Sequence, residues 1–109
     1  TSWVVSLDDP SGRCAVNPSD VIAPRIVEKR AGGDGSRAAV VAGVDATGAA
    51  ASSVTFNGFG RTSGANPLAQ INVTSNAAGT RALRVQISSG GSVRMCDPVV
   101  VDAADPRKC

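Results

Sequence analysis

Three cysteines are the residues of this chain most able to do chemistry, because the chain contains no histidine. Cys14 stands alone, whereas Cys96 and Cys109 lie close together near the end of the chain. Three single disulfides are therefore possible, and each would leave one free thiol. No C-x-x-C pair occurs, and no carboxylate set has the spacing of zinc ligands. We expect neither a metal site nor a cofactor.

Nucleophilic catalysis lacks its usual components. Serine is plentiful, but no histidine is present to activate it, and neither Ser-x-x-Lys nor Gly-x-Ser-x-Gly occurs. The adjacent carboxylates Asp8 and Asp9 precede a proline, which favours a solvated turn over an acid–base pair. The sequence therefore does not predict an enzyme.

Arginine supplies most of the positive charge, with nine arginines against two lysines. The net charge of +2 is too small for the whole chain to attract a polyanion, so only a local patch could bind nucleic acid. One candidate patch would form if the end of the chain folded back beside the last predicted hairpin. Its residues are Arg84, Arg94, Arg107 and Lys108.

This patch has two interpretations. It could contact the phosphates of double-stranded DNA weakly and without sequence preference, because arginine is an effective phosphate ligand. Alternatively, its members are ordinary solvated charges, partly countered by Asp97, Asp102 and Asp105. No aromatic residue is expected near the patch to stack a base, which argues against a single-strand binder.

Turn residues punctuate the chain every eight to twelve residues, which is typical of a mainly β domain with antiparallel strands. The apolar residues are mostly small, with 17 alanines and 15 valines. We predict one domain over residues 1–109 and no convincing helix. The predicted strands are 2–7, 25–30, 38–44, 53–57, 69–74, 82–88 and 92–96.

The register of the last hairpin follows from its apolar alternation. A three-residue loop, 89–91, pairs Ile87 with Val93 and Val85 with Met95, so that the apolar side chains share one face. Glycine at the last loop position supplies the left-handed conformation that this loop type needs. The opposite, outer face then carries Arg84, Gln86, Arg94 and Cys96.

Three segments in fixed order resemble the carboxy-terminal half of a known family. The similarity is to the FimT/FimU/GspH family and extends over residues 53–109. The three segments, in order, are "VTFNGFGRTSG", "RALRVQISSGGSVRMCDP" and the terminal "DPRKC". These proteins are minor type IV pilins and the related minor pseudopilins of type II secretion. The F-x-x-x-G strand, the final V-x-I-S-x-G-G-x-V-R hairpin and the closing cysteine loop carry the similarity.

The resemblance implies the globular β head of a pilin-like protein. Such a precursor has a leader peptide and a long apolar amino-terminal helix in the inner membrane of a Gram-negative bacterium, and we expect this chain to begin after that helix. The head faces the periplasm and later the extracellular pilus. The family pattern also pairs Cys96 with Cys109, which closes the loop 96–109 and leaves Cys14 free. An oxidising periplasm would preserve this disulfide.

The implied function is that of a structural subunit that helps to initiate or cap the pilus and binds other major and minor pilin subunits. Two alternatives are a DNA-binding pilin of natural transformation and a minor pseudopilin. DNA receptors of this type have a Gly-Arg-x-Arg motif near the hairpin. Here the corresponding residues are Gly91, Ser92, Val93 and Arg94, so serine replaces the first arginine. A second Gly-Arg pair occurs at Gly60-Arg61.

Overall fold

Antiparallel strands make up nearly all the regular structure. The computed structural model describes all 109 residues, with eight strands and one short 3₁₀ turn at Gly32–Asp34. None of its helical segments has the length and apolar character needed to cross a membrane. The strands are β1 Trp3–Ser6, β2 Ile26–Arg30, β3 Ala39–Val44, β4 Thr55–Phe56, β5 Thr62–Ser63, β6 Gln70–Ser75, β7 Leu83–Ile87 and β8 Val93–Cys96.

The mainly β prediction is confirmed, since each of the seven predicted strands overlaps one of the observed strands. The prediction missed β5, a strand of two residues that pairs with β4. Two compact units are distinguished along the chain, Thr1–Arg37 and Ala38–Cys109. The single domain over residues 1–109 stays a prediction.

The first unit is built on the antiparallel pair β1–β2. Ile26 at the start of β2 is almost completely buried. The segment between the two strands is fixed by charged side chains: the Arg25 guanidinium donates to the Asp8 carboxylate, with Nε at 2.8 Å from Oδ2. Lys29 Nζ donates to the carbonyl oxygens of Ala15 and Val16. Polar contacts therefore organise much of this unit.

The second unit contains a four-stranded antiparallel sheet in the order β3-β6-β7-β8. The register places Ile71 opposite Val85 and Val85 opposite Met95, so these side chains share one face. This apolar sheet face comprises Val41, Ile71, Val73, Leu83, Val85, Ile87, Val93 and Met95. The other face is polar along β6, β7 and β8, with Gln70, Asn72, Thr74, Arg84, Gln86 and Arg94.

The apolar sheet face differs from the expectation in one respect. It is apolar as predicted, but none of its eight residues is buried. Met95 is 65% exposed and Val93 is 59% exposed. Only four apolar residues of the chain are buried, namely Pro24, Ile26, Leu68 and Cys96. Alternation along a strand fixes which side chains share a face, but it does not supply an element to cover them.

The β7–β8 hairpin has the predicted register. Ile87 lies opposite Val93 and Val85 opposite Met95, and Ser88 N donates to Ser92 O at the base of the loop 89–91. Gly91 has φ +87°, a conformation that side chains other than glycine rarely adopt. The three-residue loop and its left-handed glycine are therefore confirmed.

Gly91 also touches the loop between β4 and β5. A Cβ atom at Gly91 would overlap the carbonyl oxygen of Gly60 and lie 3.7 Å from the Cα of Arg61. Thr62 in β5 donates its backbone N–H and its hydroxyl to the Ser89 carbonyl oxygen. The β4–β5 loop is thus in direct backbone contact with the turn of the last hairpin.

These contacts predict that Gly91→Ala lowers the free energy of unfolding by about 2 kcal/mol or more, because the methyl group adds steric overlap to an unfavourable backbone conformation. Gly90→Ala is the matched control, since the nearest atom to its new Cβ is Ser88 Oγ at 3.7 Å. The control should change stability by less than about 1 kcal/mol. Urea unfolding of both variants provides the comparison, and equal stabilities would contradict the observed contact.

Candidate functional site

The carboxy-terminal loop begins and ends at a disulfide. Cys96 and Cys109 are bonded, with their Cα atoms 5.0 Å apart and 13 positions apart in sequence. This is the pair that the family resemblance implies. Cys96 is buried, although it shares the otherwise polar face of the sheet with Arg84. Cys14 is an exposed free thiol in the first unit.

Three aspartates shape the chain inside this loop. Each accepts a hydrogen bond from the backbone N–H two residues further on, which is the Asx-turn arrangement. The donors are Val99 N to Asp97, Ala104 N to Asp102, and Arg107 N to Asp105, at 2.9–3.0 Å. The turns bring the end of the chain back, so that Asp97 N donates to Arg107 O.

Two ion pairs surround the loop. Asp97 is only 6% exposed and accepts a hydrogen bond from the Arg81 guanidinium, which lowers the pKa of its carboxyl. Asp105 accepts from Arg107, with Nη2 at 2.6 Å from Oδ2. This hydrogen bond, with that from the Arg107 backbone N–H, lowers the pKa of Asp105 from 3.8 to about 2. Both carboxylates are therefore held in the charged form.

The structure brings together part of the predicted basic patch. The chain end does fold beside β8, where the Arg94 guanidinium donates to the Lys108 carbonyl oxygen. However, Arg107 is neutralised by Asp105, and Lys108 Nζ donates to the Val101 carbonyl oxygen. Arg84 Nε donates to Asn72 Oδ1 at 2.7 Å. Arg84 and Arg94 remain as cations without a carboxylate partner, so the patch is smaller than its sequence suggests.

The loop between β4 and β5 was missed as a site by the sequence prediction. It contains Phe59, which is 92% exposed, followed by Gly60 and Arg61. The contact of Gly60 with Gly91, 31 positions apart, brings the β4–β5 loop to the turn of the last hairpin. The expectation that no aromatic residue lies near the predicted basic patch stays a prediction.

A charge pattern in the sequence could have indicated this region. Residues 46–96 contain four arginines and no aspartate or glutamate. Arg81 is paired with Asp97 from just beyond this stretch, and the other three arginines, Arg61, Arg84 and Arg94, have no acidic partner. All the strands from β4 to β8 lie within it. The net positive charge of the molecule thus lies in the second unit.

An open groove of about 370 Å³ lies on the polar face of the sheet. Its floor includes the row Gln70, Gln86 and Arg94, which are paired across three neighbouring strands. Ser88 and Ser92 line one end, immediately next to the turn that supports the β4–β5 loop. Amide, hydroxyl and guanidinium groups therefore line this groove together with Ala46, Ala69 and Ile87, and no carboxylate does. Nowhere in the chain are three or more His, Cys, Asp or Glu side chains grouped to hold a metal ion.

Comparison of the chain with protein-family models, with curated proteins and with solved structures finds no match.

The depressed pKa values of Asp97 and Asp105 predict that acid destabilises the loop. In the unfolded chain these carboxyls take up protons near their ordinary pKa, which is higher than in the folded protein. Their stabilising contribution should be present above about pH 4 and be lost as the pH falls below it, down to about pH 2 for Asp105. Urea unfolding across this range should show stability falling, and Asp97→Asn should make the fall shallower. The exposed Asp34→Asn is the control, and an unchanged fall in Asp97→Asn would contradict the assignment.

Removing the disulfide should also lower the stability of the protein, in this case at neutral pH. Cys109→Ser should lower the free energy of unfolding by about 3 kcal/mol, as expected for a loop of this length. Cys14→Ser should change it by less than about 0.5 kcal/mol, because Cys14 is exposed. Peptide mapping without reducing agent should find Cys96 linked to Cys109, and a linked peptide containing Cys14 would refute this pairing.

Proposed function

We propose that this chain is the head of a minor type IV pilin, a structural subunit that helps to initiate or cap the pilus. The observation that carries the proposal is that the apolar sheet face is exposed along β7 and β8, although Leu68 lies against this face at Gly43. A sheet with one apolar face normally buries it against another layer of secondary structure. Here Leu83, Val93 and Met95 are all exposed on it, at the edge formed by β7 and β8.

A long apolar helix of the kind that the family possesses would fit this face. Four strands spaced about 4.8 Å apart span about 14 Å between the outer strand axes, and a helix with its side chains is about 10 Å wide. A helix would therefore cover two or three strands. Each fully buried Val, Leu or Met side chain contributes about 1.5–3 kcal/mol, so covering this face would add substantially to stability.

The disulfide-closed loop supports the same proposal. Disulfides persist in oxidising compartments, which agrees with a head that faces the periplasm from the inner membrane and later lies in the extracellular pilus. Asp97, Asp105 and the Cys96–Cys109 bond fix the chain end against β8. A rigid chain end of this kind would suit a subunit that contacts other major and minor pilins.

Deletion of the gene in its own organism should reduce surface pili and twitching motility. A more specific test places a carboxylate on the apolar sheet face: Met95→Asp should reduce piliation to the level of the deletion, because a charge resists burial under another element. Gln86→Asp, on the polar face of the adjacent strand, is the matched control and should support normal piliation.

The other outcomes separate the alternatives. Normal piliation with lost transformation in the deletion strain would favour the DNA-binding pilin. Normal piliation with lost protein secretion would favour the minor pseudopilin.

Circular dichroism and disulfide mapping of purified Met95→Asp should match the parent protein, since Met95 is exposed in the head. Such a match would show that a loss of pili in the Met95→Asp strain does not come from misfolding.

A further inference from the structure

The loop between β4 and β5 begins with an asparagine that is followed by glycine. The chain has five asparagines, and Asn57 is the only one with glycine as its successor. Proline follows Asn17 and Asn66, and its nitrogen carries no proton that could be lost. Valine and alanine follow the other two. A glycine nitrogen is the least hindered backbone nucleophile, because no Cβ atom lies beside it. The pair Asn57-Gly58 is therefore the place where the backbone can most easily attack a side-chain amide.

The atoms that would react are accessible. Asn57 and Gly58 are both exposed to solvent. Neither the Gly58 N–H nor the Asn57 Nδ2 amide takes part in a hydrogen bond within the protein. A Cβ atom built at Gly58 would meet no other atom within 4 Å, so the surroundings do not obstruct an approach of the side chain to the backbone. A reaction between neighbouring groups of one chain also has a large proximity advantage.

The Asn57 side chain also holds the loop closed. Its Oδ1 accepts hydrogen bonds from Phe59 N at 2.9 Å and from Arg61 N at 3.1 Å. The backbone of Asn57 accepts from Gly60 N and donates to Arg61 O, both at 2.9 Å. Attack requires the side chain and the following peptide plane to turn toward each other, which breaks hydrogen bonds of this set. The closed loop therefore slows the reaction, which starts from a locally opened loop.

We propose that Asn57 is a site of spontaneous deamidation, with water as the co-reactant. The Gly58 nitrogen loses its proton to solvent and forms a bond to Asn57 Cγ. The Cγ–Nδ2 bond breaks, and the amide nitrogen takes a proton from solvent and leaves as ammonia. Water then opens the resulting succinimide at either of its carbonyl groups, which gives aspartate or isoaspartate. No oxidant or reductant is needed, and the inference does not depend on the pilin proposal.

The two products have different effects on the loop. An aspartate at position 57 keeps an oxygen acceptor for the same two backbone N–H groups, and its charge strengthens these hydrogen bonds. Isoaspartate adds one atom to the main chain, so the backbone hydrogen bonds of Asn57 with Gly60 and Arg61 cannot both keep their geometry. The contact between Gly60 and Gly91 then loses its support. Either product places the first carboxylate within residues 46–96.

Incubation of the folded protein in mildly alkaline buffer, followed by tryptic peptide mapping, tests the site. The tryptic peptide 38–61 contains Asn57 as its only asparagine, so a gain of mass from amide to acid in this peptide assigns the reaction. Chromatography against synthetic standards separates the aspartate form from the isoaspartate form. We expect both forms to accumulate, while the peptides that contain the other asparagines keep their mass over the same period.

Two variants separate the chemistry from the opening of the loop. Gly58→Ala should slow the conversion about tenfold, because a methyl group hinders the attacking nitrogen but meets no other atom in the fold. Gly60→Ala should accelerate it about tenfold, because Gly60 has φ +76° and a side chain there strains the closed loop. Three results would overturn the proposal: an unmodified peptide 38–61 in the parent after Gly60→Ala has converted fully, equal rates in Gly58→Ala and the parent, or equal rates in Gly60→Ala and the parent.

Discussion

The scarcity of buried apolar side chains is the constraint on which most of this structure depends. Alanine and valine bury little area each, and only Pro24, Ile26, Leu68 and Cys96 are buried as apolar residues. Side-chain oxygens supply much of the missing order. Asp45 is buried and accepts hydrogen bonds from Thr47 N, Thr47 Oγ1 and Ala49 N at 2.7–3.0 Å. Asn57, Asp97, Asp102 and Asp105 act in the same way in other loops.

The same scarcity explains the importance of close backbone contacts. Where large side chains are few, elements can approach until their main chains touch, as Gly60 and Gly91 do. Gly43 is a second example, since a Cβ there would lie 2.7 Å from Leu68 Cδ1 and would overlap the Ala51 carbonyl oxygen. These glycines allow the segments around 51, 60 and 68 to lie directly on the sheet and the last hairpin. The loop that carries Phe59 is positioned by one of these contacts.

Local patterns predicted the sheet well and the site poorly. The alternation Leu83, Val85, Ile87 and the glycine at position 91 determine the last hairpin, because register and turn type depend on neighbouring residues. The position of the β4–β5 loop depends on the long-range contact between Gly60 and Gly91, for which no local pattern exists. The pairing of Arg107 with Asp105 agrees with the second interpretation of the patch, in which Asp105 partly counters its charge. This contact is local, because the Asx turn at Asp105 brings Arg107 to its carboxylate.

The distribution of ionisable groups has a consequence for the second unit. From Ala46 to Cys96 the only ionisable side chains are the four arginines, because Cys96 is in a disulfide and no lysine, histidine, tyrosine, aspartate or glutamate occurs. Arginine keeps its proton under all conditions in which proteins remain folded. The electrostatic potential contributed by β4 to β8 is therefore the same in acidic and alkaline surroundings. A ligand at this surface therefore encounters a constant field, and any response to acidity must arise outside residues 46–96, for example at Asp45 or in the chain end, or in the ligand.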